Sequence, residues 1–150
     1  MGHTFTNHLF HVVFSTRDRE PWLRDDCRRR LYDYLGGIAH NHAGIPLGVN
    51  GTEDHVHLLV RLSPDVAVSD FLRDLKANSS SWLHETFQGL AGFAWQSGYG
   101  SFSVSESRWR QVANYIARQG EHHRRMSFAE ELAALLTRHG VAFDREHYLD

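Results

Sequence analysis

Two short stretches of this chain alternate so regularly that they fix much of what must surround them. In residues 8–16, HLFHVVFST, the side chains of Phe10, Val12 and Phe14 fall on one side and those of Leu9, His11 and Val13 on the other. In residues 54–62, DHVHLLVRL, Val56, Leu58, Val60 and Leu62 share one face, and His55, His57 and Leu59 share the opposite one. A period of two is the geometry of a β-strand. The first stretch is apolar on both sides, so its sheet must be at least partly covered on both faces.

The segments between these strands read at helical period. Residues 25–42 place Cys27, Leu31, Tyr34, Leu35 and Ile38 on one face, weakened by Gly36 and Gly37. A helix from Val68 to Phe87 carries Val68, Phe71, Leu72, Leu75, Trp82 and Leu83 as its stripe, with Ser69 or Asp65 as candidate caps. Residues 46–51 suggest a short strand and turn. Residues 93–105, FAWQSGYGSFSVS, suggest two short strands around a Gly98–Gly100 turn. Residues 107–122 read as one helix. A last helix opens at Ser127, where Ser127 and Glu130 fit a capping box, and Gly140 suits its end. Phe128, Leu132, Leu135 and Leu136 form the stripe of that helix. The order predicts an α+β, ferredoxin-like (split βαβ) antiparallel sheet with added C-terminal helices. The first two helices should cover one face. The face that carries His55 and His57 is left for the C-terminal helices or a ligand.

Composition sets the outer bounds. With 150 residues the chain fits a single domain, 1–150, large enough for a real core. One cysteine, Cys27, excludes an internal disulfide framework. No apolar run is long enough for a membrane span, and the N-terminus lacks a signal-peptide pattern, so a cytoplasmic location is expected. The net charge of −2 excludes a globally basic nucleic-acid binder. Charge is nevertheless uneven: between residues 108 and 125, Arg108, Arg110, Arg118, Arg124 and Arg125 face a single carboxylate, Glu121. Lys76 is the only lysine among 16 basic residues, and arginine is the better residue for bidentate phosphate contact.

The chemistry concentrates in His55-Val56-His57. Side chains two apart on a strand point the same way, roughly 6.5–7 Å apart along the backbone. Two imidazoles can therefore converge on one ion while Val56 buries itself. Glu53 and His11 are further candidates for the same face. On the helix of residues 107–122, Trp109, Val112, Ala113 and Ile116 form an apolar stripe, and Arg108, Tyr115, Gln119 and His122 run along its edge. Tyr115 and Gln119 are stacked neighbours at i and i+4. A phenol beside a metal-bound phosphodiester can attack phosphorus. Tyr99 and Tyr148 are rivals without a polar partner at helical spacing.

These residues carry a family resemblance. HLFHVVFSTRDREP, DHVHLLVRLSP, DFLRDLKANSSSWL, FAWQSGYGSFSVSES, YIARQGEHHRRMSFAEELAALL and RHGVAFDREHYLD match, in order and spacing over nearly the whole chain, the single-tyrosine HUH transposases of small insertion sequences. That group includes the REP-associated tyrosine transposases. His-hydrophobe-His alone is a weak signal; followed by Tyr-x-x-x-Gln it becomes specific. The resemblance implies cleavage and rejoining of single-stranded DNA near hairpins, through a 5′-phosphotyrosine formed on Tyr115 and a free 3′-OH. It implies Mg²⁺ or Mn²⁺ held by His55 and His57, with Gln119 as third ligand. It implies a homodimer, with the tyrosine helix often serving the partner's histidines, and a nucleoid-associated location in a prokaryote. Arg17, Arg73, Lys76, Arg108 and Arg118 are the candidate DNA contacts, and Trp95, Tyr99 and Phe102 the candidate base-stacking residues. The low net charge and the segment after Gln119 depart from the pattern. They leave open a domesticated REP or hairpin-processing enzyme, a non-catalytic binder of single-stranded nucleic acid, and a hydrolase that uses water.

Overall fold

The computed structural model describes residues 2–150. Four strands, β1 (His8–Ser15), β2 (Ile45–Gly51), β3 (His55–Leu62) and β4 (Gly100–Val104), form one sheet in the order β2-β3-β1-β4. Each neighbouring pair is antiparallel. The helices α1 (Asp25–Asn41) and α2 (Val68–Thr86) are the crossovers β1-α1-β2 and β3-α2-β4, and each joins two strands that flank a third. This is the interlocked split βαβ arrangement expected from the sequence. Three shorter helices follow: α3 (Trp109–Ala117), α4 (Gln119–His122) and α5 (Phe128–Arg138).

The alternation of the strands is realised as two cores. Val12, Phe14, Val56, Leu58, Val60 and Leu62 point toward α1 and α2, where they meet Leu31, Leu35, Phe71, Leu72, Leu75 and Leu83. Complete burial of side chains of this size contributes roughly 1.5–3 kcal/mol each. This larger core holds α1 helical through Gly36 and Gly37, because Leu35, Ile38 and Ala39 on either side are buried in it. On the opposite face Val13 and Phe102 pack against Phe128, Leu132 and Leu135 of α5 in a smaller core. The C-terminal helices therefore cover the face that carries His55 and His57.

Three local expectations are corrected. Residues 93–105 give one strand, β4, rather than two. Trp95 makes a single bridge to Thr16, and its ring turns inward, edge-on to Phe14 at 4.7 Å, with Nε1 donating to Ser79 Oγ. The backbone N–H of Gln96 donates to the Ser15 carbonyl of β1 and that of Gly98 to the Asp150 carbonyl, so neither pairs with β4, and the Gln96 side-chain amide donates to the carbonyls of Leu149 and Asp150. Residues 107–122 do not form one helix, because the backbone breaks at Arg118 (φ −102°, ψ 22°). Asn50 of β2 donates its amide to the carbonyls of Ile116 and Ala117 at 2.9 and 3.2 Å, and Gly120 beyond the break is a poor helix former. Neither Ser69 nor Asp65 caps α2. Ala67 occupies the N-cap position, while Asp65 accepts a hydrogen bond from Ser63 instead. The Ser127–Glu130 capping box is formed, and Gly140 takes the left-handed conformation after α5 (φ +69°).

The β2–β3 connection fixes where β3 begins, and so where His55 points. The amide of Thr52 donates to the His55 carbonyl at 3.0 Å. A Cβ at Gly51 would lie inside that carbonyl oxygen and press on the Cα of Val56. Replacement of Gly51 by alanine should therefore destabilise the chain by about 1–3 kcal/mol through overpacking. A urea unfolding midpoint equal to that of wild type would contradict this.

Candidate active site

His11, His55 and His57 emerge side by side from β1 and β3 on the face opposite the main core, and all three are buried. Three helices are laid over them. From α3 comes Tyr115, whose ring centre lies 6.0 Å from that of His57 and 6.1 Å from that of His11. From α4 comes Gln119, completely buried, with Oε1 3.0 Å from His55 Nε2. The break at Arg118 separates Gln119 from the helix that carries Tyr115, yet both reach the same place. All four residues singled out in the sequence, His55, His57, Tyr115 and Gln119, are thus brought together within one chain.

At their centre lies Glu131 of α5, which is 1% exposed. Its Oε1 accepts hydrogen bonds from His57 Nε2 at 2.9 Å and His123 Nε2 at 3.0 Å, and lies 3.4 Å from His55 Nε2. Its Oε2 accepts from the Tyr115 hydroxyl and from Gln119 Nε2. A carboxylate offers about four acceptor positions, and here four donors fill them. Burial alone would push this carboxyl up, but hydrogen bonds from His123, His55 and His57 outweigh it and hold the group far below the usual carboxylate range.

The surrounding groups fix the imidazoles. Because His57 Nε2 donates to Glu131, its Nδ1 accepts from His11 Nε2 at 2.8 Å. Burial, and the proximity of each ring to other imidazoles, keep this pair neutral, with pKa values lowered to about 3 for His11 and about 4 for His57. His55 behaves in the opposite way. Burial disfavours its charge, yet hydrogen bonds to Asp54, Glu131 and Gln119 raise its pKa to about 9. Its Nδ1 donates to Asp54 Oδ1 at 2.8 Å, and Thr52 Oγ1 braces the same carboxylate at 3.0 Å. Burial, reinforced by Glu131, raises the pKa of Tyr115, so its phenol is held protonated at neutral pH.

One donor atom from each of His55, His57, His123 and Glu131 lies within 4.8 Å of the others, close enough to hold a metal ion. Neutral imidazoles and a carboxylate are ordinary ligands for divalent ions. His123 and Glu131 are the residues that sequence reasoning missed. The signal for Glu131 was present: it interrupts the buried stripe of Phe128, Leu132 and Leu135 with a charge. Glu53, by contrast, is exposed. β3 starts only at His55, so the carboxylate that meets His55 is Asp54.

The candidate DNA contacts separate into two groups. Arg108 and Arg118 line clefts beside Tyr115. The others are remote from it. Arg73 pairs with Asp70 and Asp74 at 3.2 and 3.5 Å. Lys76 is spent on the carbonyls of Gln96, Ser97 and Gly98, and its partial burial lowers its pKa to about 8. Arg17 is exposed in the short 3₁₀ turn after β1. Trp95 and Phe102 are core residues, which leaves Tyr99, 41% exposed, as the one open ring of the three. The Tyr148 hydroxyl donates to the Ala129 carbonyl, away from the histidines.

Comparison with known proteins accords with this arrangement. The family model described as "Transposase IS200 like" matches residues 4–119. The ISDra2 transposase TnpA of Deinococcus radiodurans is 28% identical over 115 residues, which cover 73% of this chain and 82% of that protein. The transposase for insertion sequence element IS200 of Salmonella typhimurium is 30% identical over 90 residues, 60% of this chain and 59% of that one. Among solved structures, a putative transposase from Deinococcus radiodurans superposes with a TM-score of 0.63 at 27% identity, covering 79% of this chain and 96% of that one. The REP-associated tyrosine transposase bound to a REP hairpin shares the fold at a TM-score of 0.63 and 14% identity, over 97% of this chain and 91% of that one. Because the family model matches residues 4–119, most of its length, the chain belongs to the IS200-like transposase family.

Proposed function

We propose that this transposase cleaves and rejoins single-stranded DNA at hairpins, with Tyr115 as the nucleophile. The observation that carries the reading is the placement of the Tyr115 hydroxyl on Glu131, at the edge of the imidazole and amide cluster of its own chain. Hairpin DNA is the substrate class suggested by the REP hairpin bound to the fold neighbour. Among the described residues, no helix is long and apolar enough to cross a membrane.

In this reading the Tyr115 oxygen attacks phosphorus, and the Tyr115–phosphorus bond forms as the bond to the 3′-oxygen breaks. Glu131 Oε2 orients the Tyr115 hydroxyl, and the phenolic proton passes to solvent as the oxygen bonds to phosphorus. The departing oxygen takes up a proton and leaves as a 3′-OH; rejoining reverses each step. His55 and His57, with Gln119, Glu131 and His123 around them, would hold Mg²⁺ or Mn²⁺. When bound, the ion supplies Lewis-acid stabilisation of the phosphoryl oxygens. Asp54 and His11 orient the two imidazoles from behind, as outer partners of metal-binding histidines do. In this chain every one of these groups comes from the same polypeptide.

The test uses a pool of labelled single-stranded hairpin oligonucleotides with Mn²⁺ or Mg²⁺, read on a denaturing gel. Wild type should form a covalent protein–DNA adduct that EDTA abolishes, and Tyr115→Phe should form none. Cleavage that survives in Tyr115→Phe without an adduct would favour a hydrolase. The protonation of His55 adds a pH dependence. A metal at its Nε2 must displace a proton held there up to about pH 9. Metal affinity, measured by calorimetry, should therefore fall as pH is lowered below that value, by up to about tenfold per unit. An affinity flat between pH 9 and pH 6 would count against ligation by His55. Glu131→Gln should lower the affinity by about 10–100-fold, the range seen when a group supporting a metal site is lost.

A further inference from the structure

Tyr115 stands where three clefts meet. The largest, about 890 Å³, is bordered by Arg118, Arg124 and Arg125. A second, about 600 Å³, lies on the other side of α3 and is bordered by Arg108 and Arg138. Gln111, one turn before Tyr115, lines both, so Gln111 and Tyr115 form the ridge between them. The third cleft is small, about 150 Å³, and runs from Tyr115 down to Glu131 with Arg138 in its wall. At ~30 Å³ per water it has room for about five waters, enough for a phosphodiester group and too little for a nucleoside.

The arginines around these clefts have their charges available. Among the described residues, none of the five forms a salt bridge with a carboxylate, whereas Arg28, Arg61 and Arg73 elsewhere on the surface do. Among the described residues, the only side-chain hydrogen bond from one of them is a long one, 3.4 Å, from Arg108 to Gln111. One carboxylate, Glu121, enters the largest cleft. An overall charge of −2 thus conceals a band of unpaired guanidinium groups that crosses the surface at the nucleophile.

We propose that a single DNA strand crosses the Gln111–Tyr115 ridge, held by Arg118, Arg124 and Arg125 on one side and by Arg108 and Arg138 on the other, with the scissile phosphate in the small cleft. The proposal rests on the reading of Tyr115 as nucleophile and adds the route of the substrate. Guanidinium groups suit phosphate oxygens through bidentate contact. The ring of Tyr115 stands in the ridge while its half-buried hydroxyl points down the small cleft to Glu131, so a phosphate reaches it only if the backbone bends sharply into that cleft as it crosses. An unpaired strand bends in this way, whereas a duplex is stiff over tens of base pairs. Arg124, Arg125 and Arg138 lie beyond the segment matched by the family model, in the part of the chain that also supplies Glu131.

Binding of labelled oligothymidylate to the full chain, followed by fluorescence anisotropy across a salt titration, tests the route. Arg124→Ala/Arg125→Ala should weaken binding by about tenfold near physiological salt and make the salt dependence shallower by about 1.4 in log–log slope, at ~0.7 for each phosphate no longer neutralised. Arg138→Ala should weaken binding, and Arg138→Lys should restore part of it. Arg29→Ala, on the exposed side of α1, should bind as wild type. Cross-linking of 4-thiothymidine oligonucleotides to wild type should label peptides from α3, α4 and α5. Variants with wild-type affinity and slope, or cross-links confined to α1 and α2, would overturn the route. The hairpin adduct assay reports separately on Tyr115. No adduct together with arginine-dependent binding would remove the nucleophile reading and leave the route, and an adduct with arginine-independent binding would do the reverse.

Discussion

A buried carboxylate is costly unless every acceptor position is satisfied, and the placement of Glu131 shows how far a chain must organise itself to meet that condition. Its four donors come from β3, α3, α4 and the turn after α4. Loss of any one leaves a buried charge underpaired, which costs about 1–3 kcal/mol or more. The C-terminal helices therefore cannot slide over the sheet. Their apolar contacts through Phe128, Leu132 and Leu135 provide the burial, and the hydrogen bonds of Glu131 select the one register in which that burial is tolerable. The capping box at Ser127 and Glu130 starts α5 at the turn that aims Glu131 inward.

The sheet makes the complementary demand. The side-chain period in β3 is two, so a slip of one residue would carry His55 and His57 into the main core and Val56 onto the site face. Register is pinned on both sides, by pairing of His57 with Val13 on β1 and with Asn50 on β2. Asn50 also donates to the carbonyls released where α3 ends. The same edge residue thus links strand register to the point at which the helix of Tyr115 gives way to that of Gln119. Position of the histidines and position of Tyr115 are parts of one constraint.

This division explains what is legible in the chain alone. Alternation is local, so both long strands, the face of the histidine pair and the split βαβ order are visible in residues 8–16 and 54–62. The helical spacing of Tyr115 and Gln119 is visible as well, although the break between them depends on Asn50 from far along the chain. Glu131 is hidden for a related reason. Its neighbours follow an apolar stripe and a capping box so well that the helix is legible, while the charge within the stripe gains meaning only when β3, α3, α4 and the turn after α4 supply its donors. The candidate lysine fails differently. Lys76 looks free in the sequence because backbone carbonyls, which are its partners, are invisible to residue patterning. The second strand expected around residues 93–97 shrinks to the single Thr16–Trp95 bridge at the end of β1, a tertiary pairing that local patterning does not show.

The two halves of the site have different chemical tasks. The segment that matches the family model supplies His55, His57, Tyr115 and Gln119 and ends at the last of these. The segment beyond it supplies His123 and Glu131, and α5, which carries Glu131, is anchored on Val13 and Phe102 of the sheet in the smaller core. The imidazoles of β3 are fixed from behind by Asp54 and His11, so their direction is set before α5 docks. The phenol of Tyr115 has no such brace from the sheet, and its hydroxyl partner is the carboxylate of α5. Burial, reinforced by that carboxylate, keeps the phenol protonated, and the same carboxylate fixes its direction. Docking of α5 therefore sets both the burial and the direction of the Tyr115 hydroxyl, and the C-terminal helix is as much a part of this cluster as the histidine strand.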